Sequence, residues 1–355
     1  MAIRIAILGT GWGTRVQLPC FRAAGLEVSA IWARRSEAAR EATLRHGIPY
    51  ISTDWKQLLE EAEVDLVSVV APPNLHREMT LAAVASGKHV LCEKPTALDA
   101  EEAAEMAEAA EAHPDLWCLI DHELRFLPSR RTFQRAVRDG FLGEIFHAEG
   151  TFLSDFRLDP EGPWNWWSDR DLGGGLLGAL GSHLVDSLTW LLGRPVEAVL
   201  AQEKTAFPER LDVAGHLRPV SADDYAALQL RFEGAIPAQV QLSAVYAGPP
   251  GHRLAISGSE ATLVWEDGQL TAFRRGSSEP EVLAVDPPTA LPHGVPNQPF
   301  ARGTMYLGGA LRQALQDGDS AALDPAAGFR DGLAVQRVLD AARQSLETGA
   351  WVEIP

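Results

Sequence analysis

Two stretches of the chain carry side chains able to move a proton. The first is Lys88-His89-Val90-Leu91-Cys92-Glu93-Lys94-Pro95. Val90, Leu91 and Cys92 suit one short buried strand. Glu93 and Lys94 fall where that strand runs out, and Pro95, which has no amide to donate, ends its ladder. Ligands of open α/β sheets bind outside the carboxyl ends of the strands. A lysine there is a candidate acid/base if a cofactor lies beside it; the alternative is a solvated Glu-Lys pair. The second stretch is Gly173-Gly174-Gly175-Leu176-Leu177-Gly178-Ala179-Leu180-Gly181-Ser182-His183-Leu184-Val185-Asp186. His183 and Asp186, at i and i+3, are spaced to hydrogen-bond, which would fix the imidazole tautomer. A histidine satisfied within a core has the same pattern. Gly178 and Gly181 each cost about 1 kcal/mol against alanine inside a helix. Gly178, Ala179 and Ser182 share one side of that helix, a surface small enough for a flat ring or a neighbouring helix to approach.

A proton-transfer lysine needs a hydride carrier, and the N-terminus has the elements for one. Ile3 to Leu8 is a buried-strand pattern running into Gly9-Thr10-Gly11-Trp12-Gly13-Thr14. Strand, Gly-x-Gly and helix in that order form a dinucleotide fingerprint: Gly9 for the tight turn, Gly11 for close approach of a pyrophosphate, then helix amides facing the negative charge. The third glycine of the pattern falls on Thr14, with Gly13 one residue early. The second strand, Glu27 to Trp32, ends in Ala33-Arg34-Arg35-Ser36. No acid follows it to accept ribose hydroxyls, whereas Arg34, Arg35 and Ser36 suit a 2′-phosphate, so NADP is favoured over NAD. Strand Val64–Val70 ends in Ala71-Pro72-Pro73-Asn74-Leu75-His76. The prolines stiffen a turn beside the dinucleotide, Asn74 offers a donor and an acceptor, and His76 opens the next helix.

Strands and helices alternate up to Asp121-His122, which places an α/β domain with a Rossmann-type doubly wound parallel sheet over residues 1–122. Residues 123–355 then read as an α+β domain with a mostly antiparallel open sheet. Its strands are expected at 144–153, 225–233, 236–246, 252–258 and 262–266, and its helices at 127–139, 174–192, 303–316 and 325–347. Asp324 is the expected N-cap of the last helix and Gly349 its stop. Residues 286–299, with five prolines, read as a long surface loop. Trp166 and Trp167 could stack on a sugar ring, although tryptophan clusters more often serve cores. Arg125, Arg157 and Arg170 could meet a carboxylate or form surface ion pairs.

Composition sets limits. At 355 residues and 46% hydrophobic, two buried cores are affordable. A net charge of −17 opposes nucleic acid or an anionic membrane as partner. Cys20, Cys92 and Cys118 lack the spacing of a disulfide framework or zinc site, so no metal is expected. A strand beginning at Ile3 leaves no room for a signal peptide, and no apolar run reaches the ~18 residues of a membrane span. A cytoplasmic protein acting on a small molecule is the expectation.

Together the N-terminal Gly-x-Gly, Ala71–His76, Glu93-Lys94-Pro95 and the Gly173–Asp186 segment resemble the Gfo/Idh/MocA oxidoreductase family, the group of glucose–fructose oxidoreductase and inositol dehydrogenase. Trp166-Trp167, the triple glycine and Ser221-Ala222-Asp223-Asp224 are also similar to the glucose–fructose oxidoreductase domain-containing proteins. The resemblance implies that Lys94 transfers the proton and contacts the cofactor, with Glu93 and Pro95 beside it, and that His183 is its partner across the nicotinamide. Arg125, Trp166, Trp167, His183 and Asp186 are the candidate substrate contacts, and the open C-terminal sheet suggests a dimer or tetramer paired through its outer face. One position departs from the pattern. Sugar and polyol dehydrogenases of the family carry an aspartate four residues before the histidine, and here that residue is Ala179. The expected activity is hydride transfer between NADP or NAD and a sugar, cyclic polyol or related carbonyl compound. The alternatives are a cofactor-holding protein with little turnover, or a redox-assisted sugar-modifying enzyme with tightly held cofactor.

Overall fold

A computed structural model describes residues 2–286 and 289–355. Pro287 and Pro288 of the expected proline-rich loop lie outside the described residues. Contacts between Cα atoms divide the chain into two compact units: residues 2–97, 101–127 and 289–333, and residues 98–100, 128–286 and 334–355.

The first unit holds a seven-stranded sheet built from β1 (Arg4–Leu8), β2 (Glu27–Trp32), β3 (Tyr50–Ser52), β4 (Leu66–Val69), β5 (His89–Cys92), β6 (Cys118–Ile120) and a short strand Ala327–Gly328. In space the order is Ala327–Gly328, β6, β5, β4, β1, β2, β3, and every pair is parallel except the first. Strands buried on both faces read as unbroken apolar runs, and Ile5 to Leu8, Leu66, Val67, Val69 and Val90 to Cys92 are all fully buried. β1 lies between β4 and β2, so the chain leaves it in opposite directions on its two sides. Its carboxyl end is therefore the topological switch point, where such sheets bind ligands.

Helices α1 (Leu18–Ala23), α2 (Ser36–His46), α3 (Trp55–Glu61), α4 (His76–Ala85) and α5 (Ala100–Glu111) follow the strands. Asp54 caps α3 through its carboxylate, which accepts from the amides of Lys56 and Gln57. The helix Pro299–Gln316 joins the same core, with Leu307 and Leu311 packed among Ile5, Ile7, Phe21 and Leu66. It starts four residues before its expected position, with Pro299 in its first turn.

The second unit contains α6 (Pro128–Arg138), α7 (Ser182–Leu192) and a nine-stranded sheet. The strands are β7 (Ile145–Leu153), β8 (Val196–Lys204), β11 (Tyr225–Phe232), β12 (Ile236–Ser243), β13 (Gly251–Gly258), β14 (Ala261–Glu266), β15 (Gln269–Arg274), β16 (Glu281–Val282) and β18 (Val352–Glu353). Only β7 and β12 pair in parallel. A separate hairpin joins β9 (Glu209–Leu211) to β10 (Leu217–Pro219). β8, β15 and the short β16 and β18 add to the five strands expected from the sequence. α6 and α7 pack together, α7 against β7 and α6 against β14 and β15. Arg130 of α6 is fully buried with its guanidinium 3.8 Å over the Trp265 ring.

Asp324 is not the N-cap of the last helix, which begins at Phe329 and runs to Thr348. Ala327 and Gly328 instead pair with Ile120 and Leu119 at the sheet edge, numbered β17 in chain order, and Asp331 accepts from the Gly328 amide (2.8 Å). Satisfying the open edge of β6 overrides the local capping signal. Gly349, at φ +65°, stops the helix as expected.

Candidate active site

The first unit gathers the cofactor-site candidates around the end of β1. Gly9 has φ +143°, and a Cβ there would lie 2.3 Å from the Val70 carbonyl oxygen, so only glycine allows β1 and β4 to end side by side. A Cβ on Gly13 would lie 2.6 Å from Ile7 Cγ2. Gly13 thus does the packing work assigned in the general pattern to the third glycine, and Thr14 turns its hydroxyl back to the Thr10 carbonyl. A Cβ on Gly11 would meet nothing within 4 Å. The described residues leave open space beside Gly11, and the residues present fit a dinucleotide pyrophosphate there. Residues 13–17 form a π-helical turn, a geometry enriched at functional sites. Trp12 leans edge-on against Phe300, with ring centroids 6.5 Å apart. Arg34, Arg35 and Ser36 are exposed beyond the end of β2, behind the buried Ala33.

Ala71 to His76 lie beyond β4, with Pro73 to Leu75 in a 3-10 turn and Asn74 exposed. His76 is buried, with its ring between the carbonyl oxygens of Ala71 (2.8 Å) and Pro95 (3.0 Å). Burial holds the imidazole below its usual pKa, so it is neutral and donates to one carbonyl. It ties the Ala-Pro-Pro-Asn turn to the loop carrying Lys94.

That loop stands on a buried polar cluster. Glu93 follows β5, and Asp121 and Glu123 follow β6, all three nearly enclosed. One nitrogen of Gln17 donates to Glu93 Oε1 (3.1 Å) and Asp121 Oδ2 (2.9 Å), while Ser68 donates to the Gln17 carbonyl (2.6 Å). Burial raises the Asp121 pKa well above the carboxylate range, and the Glu93 charge raises it further. Burial, followed by the Asp121 and Glu93 charges, raises Glu123 likewise. Lys94 is half-buried next to Glu93 in the chain, and its charge acts on all three carboxyls. Gln17 and Glu123 were invisible as site residues in the sequence, and Asp121 stood out only as a polar residue at a strand end. Arg125 belongs to this unit too, buried and donating to Asp331 (3.2 Å).

The second unit carries Trp166, Trp167, His183 and Asp186. Leu177 to Gly181 form a second π-helical turn leading into α7, so the side expected to unite Gly178, Ala179 and Ser182 follows a wider helical pitch. His183 and Asp186 are both buried on α7. Trp166 and Trp167 stack obliquely (centroids 5.4 Å), and Phe156 meets Trp167 edge-on (5.5 Å).

The Ser221–Asp224 segment clasps this region. Ser221 Oγ accepts from the Arg170 amide (3.0 Å). Asp223 Oδ2 accepts from the Leu177 amide (2.9 Å) at the start of the π turn. Gly175, at φ +105°, leaves room for that carboxyl: a Cβ would lie 2.2 Å from Asp223 Oδ1. Asp224 Oδ1 accepts from Arg157 Nε (2.6 Å), and Arg157 also donates to Ser168 Oγ (3.2 Å). Arg157 is therefore a structural cation, and Arg170 is engaged by Glu203 at the surface.

Burial pushes Asp223 up to about 7, against the opposing Leu177 hydrogen bond. An acid whose folded pKa lies above its unfolded value of ~3.9 stabilises the fold fully only below the lower value. That contribution is lost as pH rises towards the folded value. Asp223→Asn keeps an acceptor for Leu177 and removes the titration. The variant is expected to gain stability relative to the parent between about pH 4 and 7, by up to roughly 4 kcal/mol. Denaturant titrations of both proteins at the two ends of that window check this; an unchanged difference would contradict it.

Comparison with known proteins gives a consistent result. A model described as the oxidoreductase family with an NAD-binding Rossmann fold matches residues 3–121, and the GFO/IDH/MocA C-terminal domain matches residues 131–264. Human glucose-fructose oxidoreductase domain-containing protein 2 is 31% identical over 360 residues, covering 98% of this chain and 92% of that protein. An oxidoreductase domain protein from Kribbella flavida superposes with a TM-score of 0.86 at 27% identity, covering 100% of this chain and 99% of that one. A levoglucosan dehydrogenase in complex with NADH and L-sorbose shares the fold, with a TM-score of 0.86 at 24% identity and 100% of both chains covered. Among the described residues no helix is long and apolar enough to cross a membrane, and no group of three or more His, Cys, Asp or Glu side chains is arranged to hold a metal.

Proposed function

The chain belongs to the GFO/IDH/MocA oxidoreductase family, with its NAD-binding Rossmann fold, and from that premise we propose a hydride transfer between NADP and a carbinol carbon of a sugar, cyclic polyol or related carbonyl compound. The observation that carries the reading is Lys94, a half-buried amine beyond β5 on the carboxyl edge of the sheet whose switch point holds an open Gly-x-Gly cradle.

The nicotinamide cofactor supplies the hydride acceptor or donor when bound. The protein's part is to hold it and to manage the proton. Gly9, Gly11 and the amides after them receive the pyrophosphate, with Trp12, Gly13 and Thr14 shaping the turn. Ala71, Pro72, Pro73 and Asn74 form a stiff turn beside it, and His76 fixes that turn to the Lys94 loop. As hydride leaves a carbinol carbon, the hydroxyl proton must leave too, and the Lys94 amine takes it as a general base. In the reverse direction the ammonium returns it. His183, with Asp186 on the same helix, is the second acid/base candidate, and Trp166 and Trp167 offer ring faces to a sugar.

NADP is preferred over NAD in this reading because Arg34 and Arg35 stand exposed where an NAD site needs an acid. Hydrogen bonds to charged groups are worth about 1.5–3 kcal/mol. The double variant Arg34→Ala/Arg35→Ala should therefore lose roughly tenfold or more in NADP affinity and little in NAD affinity. Equal affinity of the parent for both cofactors would remove this role.

Ala179 favours one competing reading, a cofactor-holding protein with little turnover. A panel of sugars and polyols separates the two: the enzyme reading requires at least one to change the nicotinamide absorbance catalytically.

A further inference from the structure

The first unit buries three carboxyls close together, those of Glu93, Asp121 and Glu123. Glu93 and Asp121 come from the ends of adjacent strands and converge on a single Gln17 nitrogen, at 3.1 and 2.9 Å. Gln17 is itself oriented, because its carbonyl accepts from Ser68. An amide nitrogen has two hydrogens, so it can serve both acceptors at once. It cannot neutralise two like charges enclosed together, and such pairs normally retain one proton. Asp121 Oδ1 and Glu123 Oε2 are enclosed without any hydrogen-bond partner among the described residues. An oxygen in that position is tolerable on a neutral acid and costly on an anion.

Other polar groups flank the pair. Lys94 adjoins Glu93, and His122 and Glu123 follow Asp121. Cys20 comes from α1 and Cys92 from β5, with both thiols pushed up by burial, Cys20 to about 12. The helix Pro299–Gln316 closes over Glu123 with Gly303, where a Cβ would lie 2.6 Å from the Glu123 carbonyl oxygen. Lys94 is the cation of the set, and its charge opposes the rise of all three carboxyls.

We infer that Asp121 is the protonated partner of the Glu93 carboxylate, and that this pair, clamped by Gln17, is the positioning element that gives Lys94 a fixed anionic neighbour. The inference rests on the reading of Lys94 as the proton-transfer group. Asp121 and Glu93 act through Lys94 and touch no substrate.

Infrared spectroscopy of the full chain tests the proton directly and without turnover. At about pH 8.5, well above the ordinary carboxyl range and above Asp223, the parent should retain the carbonyl stretch of a neutral carboxylic acid. Asp121→Asn, which keeps the donor towards Glu93, should lose the corresponding part of that band, and Glu123→Gln should leave that part in place. No such band in the parent, or one indifferent to Asp121→Asn, overturns the inference. Any substrate found active supplies the second arm. Glu93→Gln removes the anion and should move the acid limb of the kcat profile to lower pH by about one unit, whereas Asp121→Asn should leave the limb where it is. A limb unmoved by Glu93→Gln also overturns the inference. If no substrate turns over but the infrared result holds, the Lys94 reading fails while the shared proton stands.

Discussion

Replacing Lys94 by alanine is expected to lower turnover by roughly 10²–10⁴-fold, the usual contribution of a positioned general acid or base. Cofactor affinity should change little, because the Gly-x-Gly cradle, the Ala71–Asn74 turn and the basic residues after β2 remain. The effect should fall on kcat, since proton transfer from the substrate hydroxyl develops only as hydride leaves. A rise in KM alone would assign Lys94 to binding. The variant should fold normally: Lys94 is half-buried, and the surrounding loop is held by His76 and by the Gln17 bridge between Glu93 and Asp121. Steady-state kinetics together with fluorescence titration of reduced cofactor separate these outcomes.

The second large effect is on stability. Asp224→Ala should destabilise the second unit by about 3–5 kcal/mol, the range for breaking a buried ion pair from one side. Asp224 is fully buried. It accepts from Arg157 Nε (2.6 Å) and from the Ala206 amide (3.0 Å). Removing it strands the Arg157 guanidinium beside Ser168 and beside Arg210, which donates to the Arg157 carbonyl (2.7 Å). At roughly 2–4 °C per kcal/mol for a unit of this size, the loss should be plain in a thermal melt. Replacing both partners, Arg157→Met with Asp224→Leu, should cost less than Asp224→Ala alone, because no uncompensated charge remains. If the single variant melts with the parent, the clasp has no structural weight.

Much of this was legible in the sequence. The unbroken apolar runs of β1, β4 and β5 announce strands buried on two faces, and their alternation with helices gives the parallel sheet. Lys94 stood out because Pro95 marks the end of its strand. What escaped depended on tertiary pairing. Val196–Lys204 mixes alanine and glutamate with its apolar residues, so its strand character comes from pairing with β11. Gln269–Arg274 did have a signal, the Asp267-Gly268 turn with both residues at positive φ. The helix Pro299–Gln316 lies almost 300 residues from β1 in sequence yet packs on the same core, which no local pattern can reveal. Ser221-Ala222-Asp223-Asp224 was recognisable as a motif, but its purpose was not: one carboxyl caps a π turn and its neighbour neutralises Arg157. The acid cluster escaped because Gln17, Glu93 and Asp121 meet only once the ends of β5 and β6 lie side by side and the helical turn after β1 reaches them.

In the proposed reaction hydride passes between the nicotinamide and a carbinol carbon while Lys94 manages the proton. Incubating the parent with oxidised cofactor and polyols or sugars deuterated at their carbinol carbons, then weighing the cofactor by mass spectrometry, tests it most directly. One deuterium is expected on the nicotinamide from at least one substrate, with the rate of labelling collapsing in Lys94→Ala. Absence of label from every substrate in a broad panel, or labelling at the parental rate in Lys94→Ala, would contradict it.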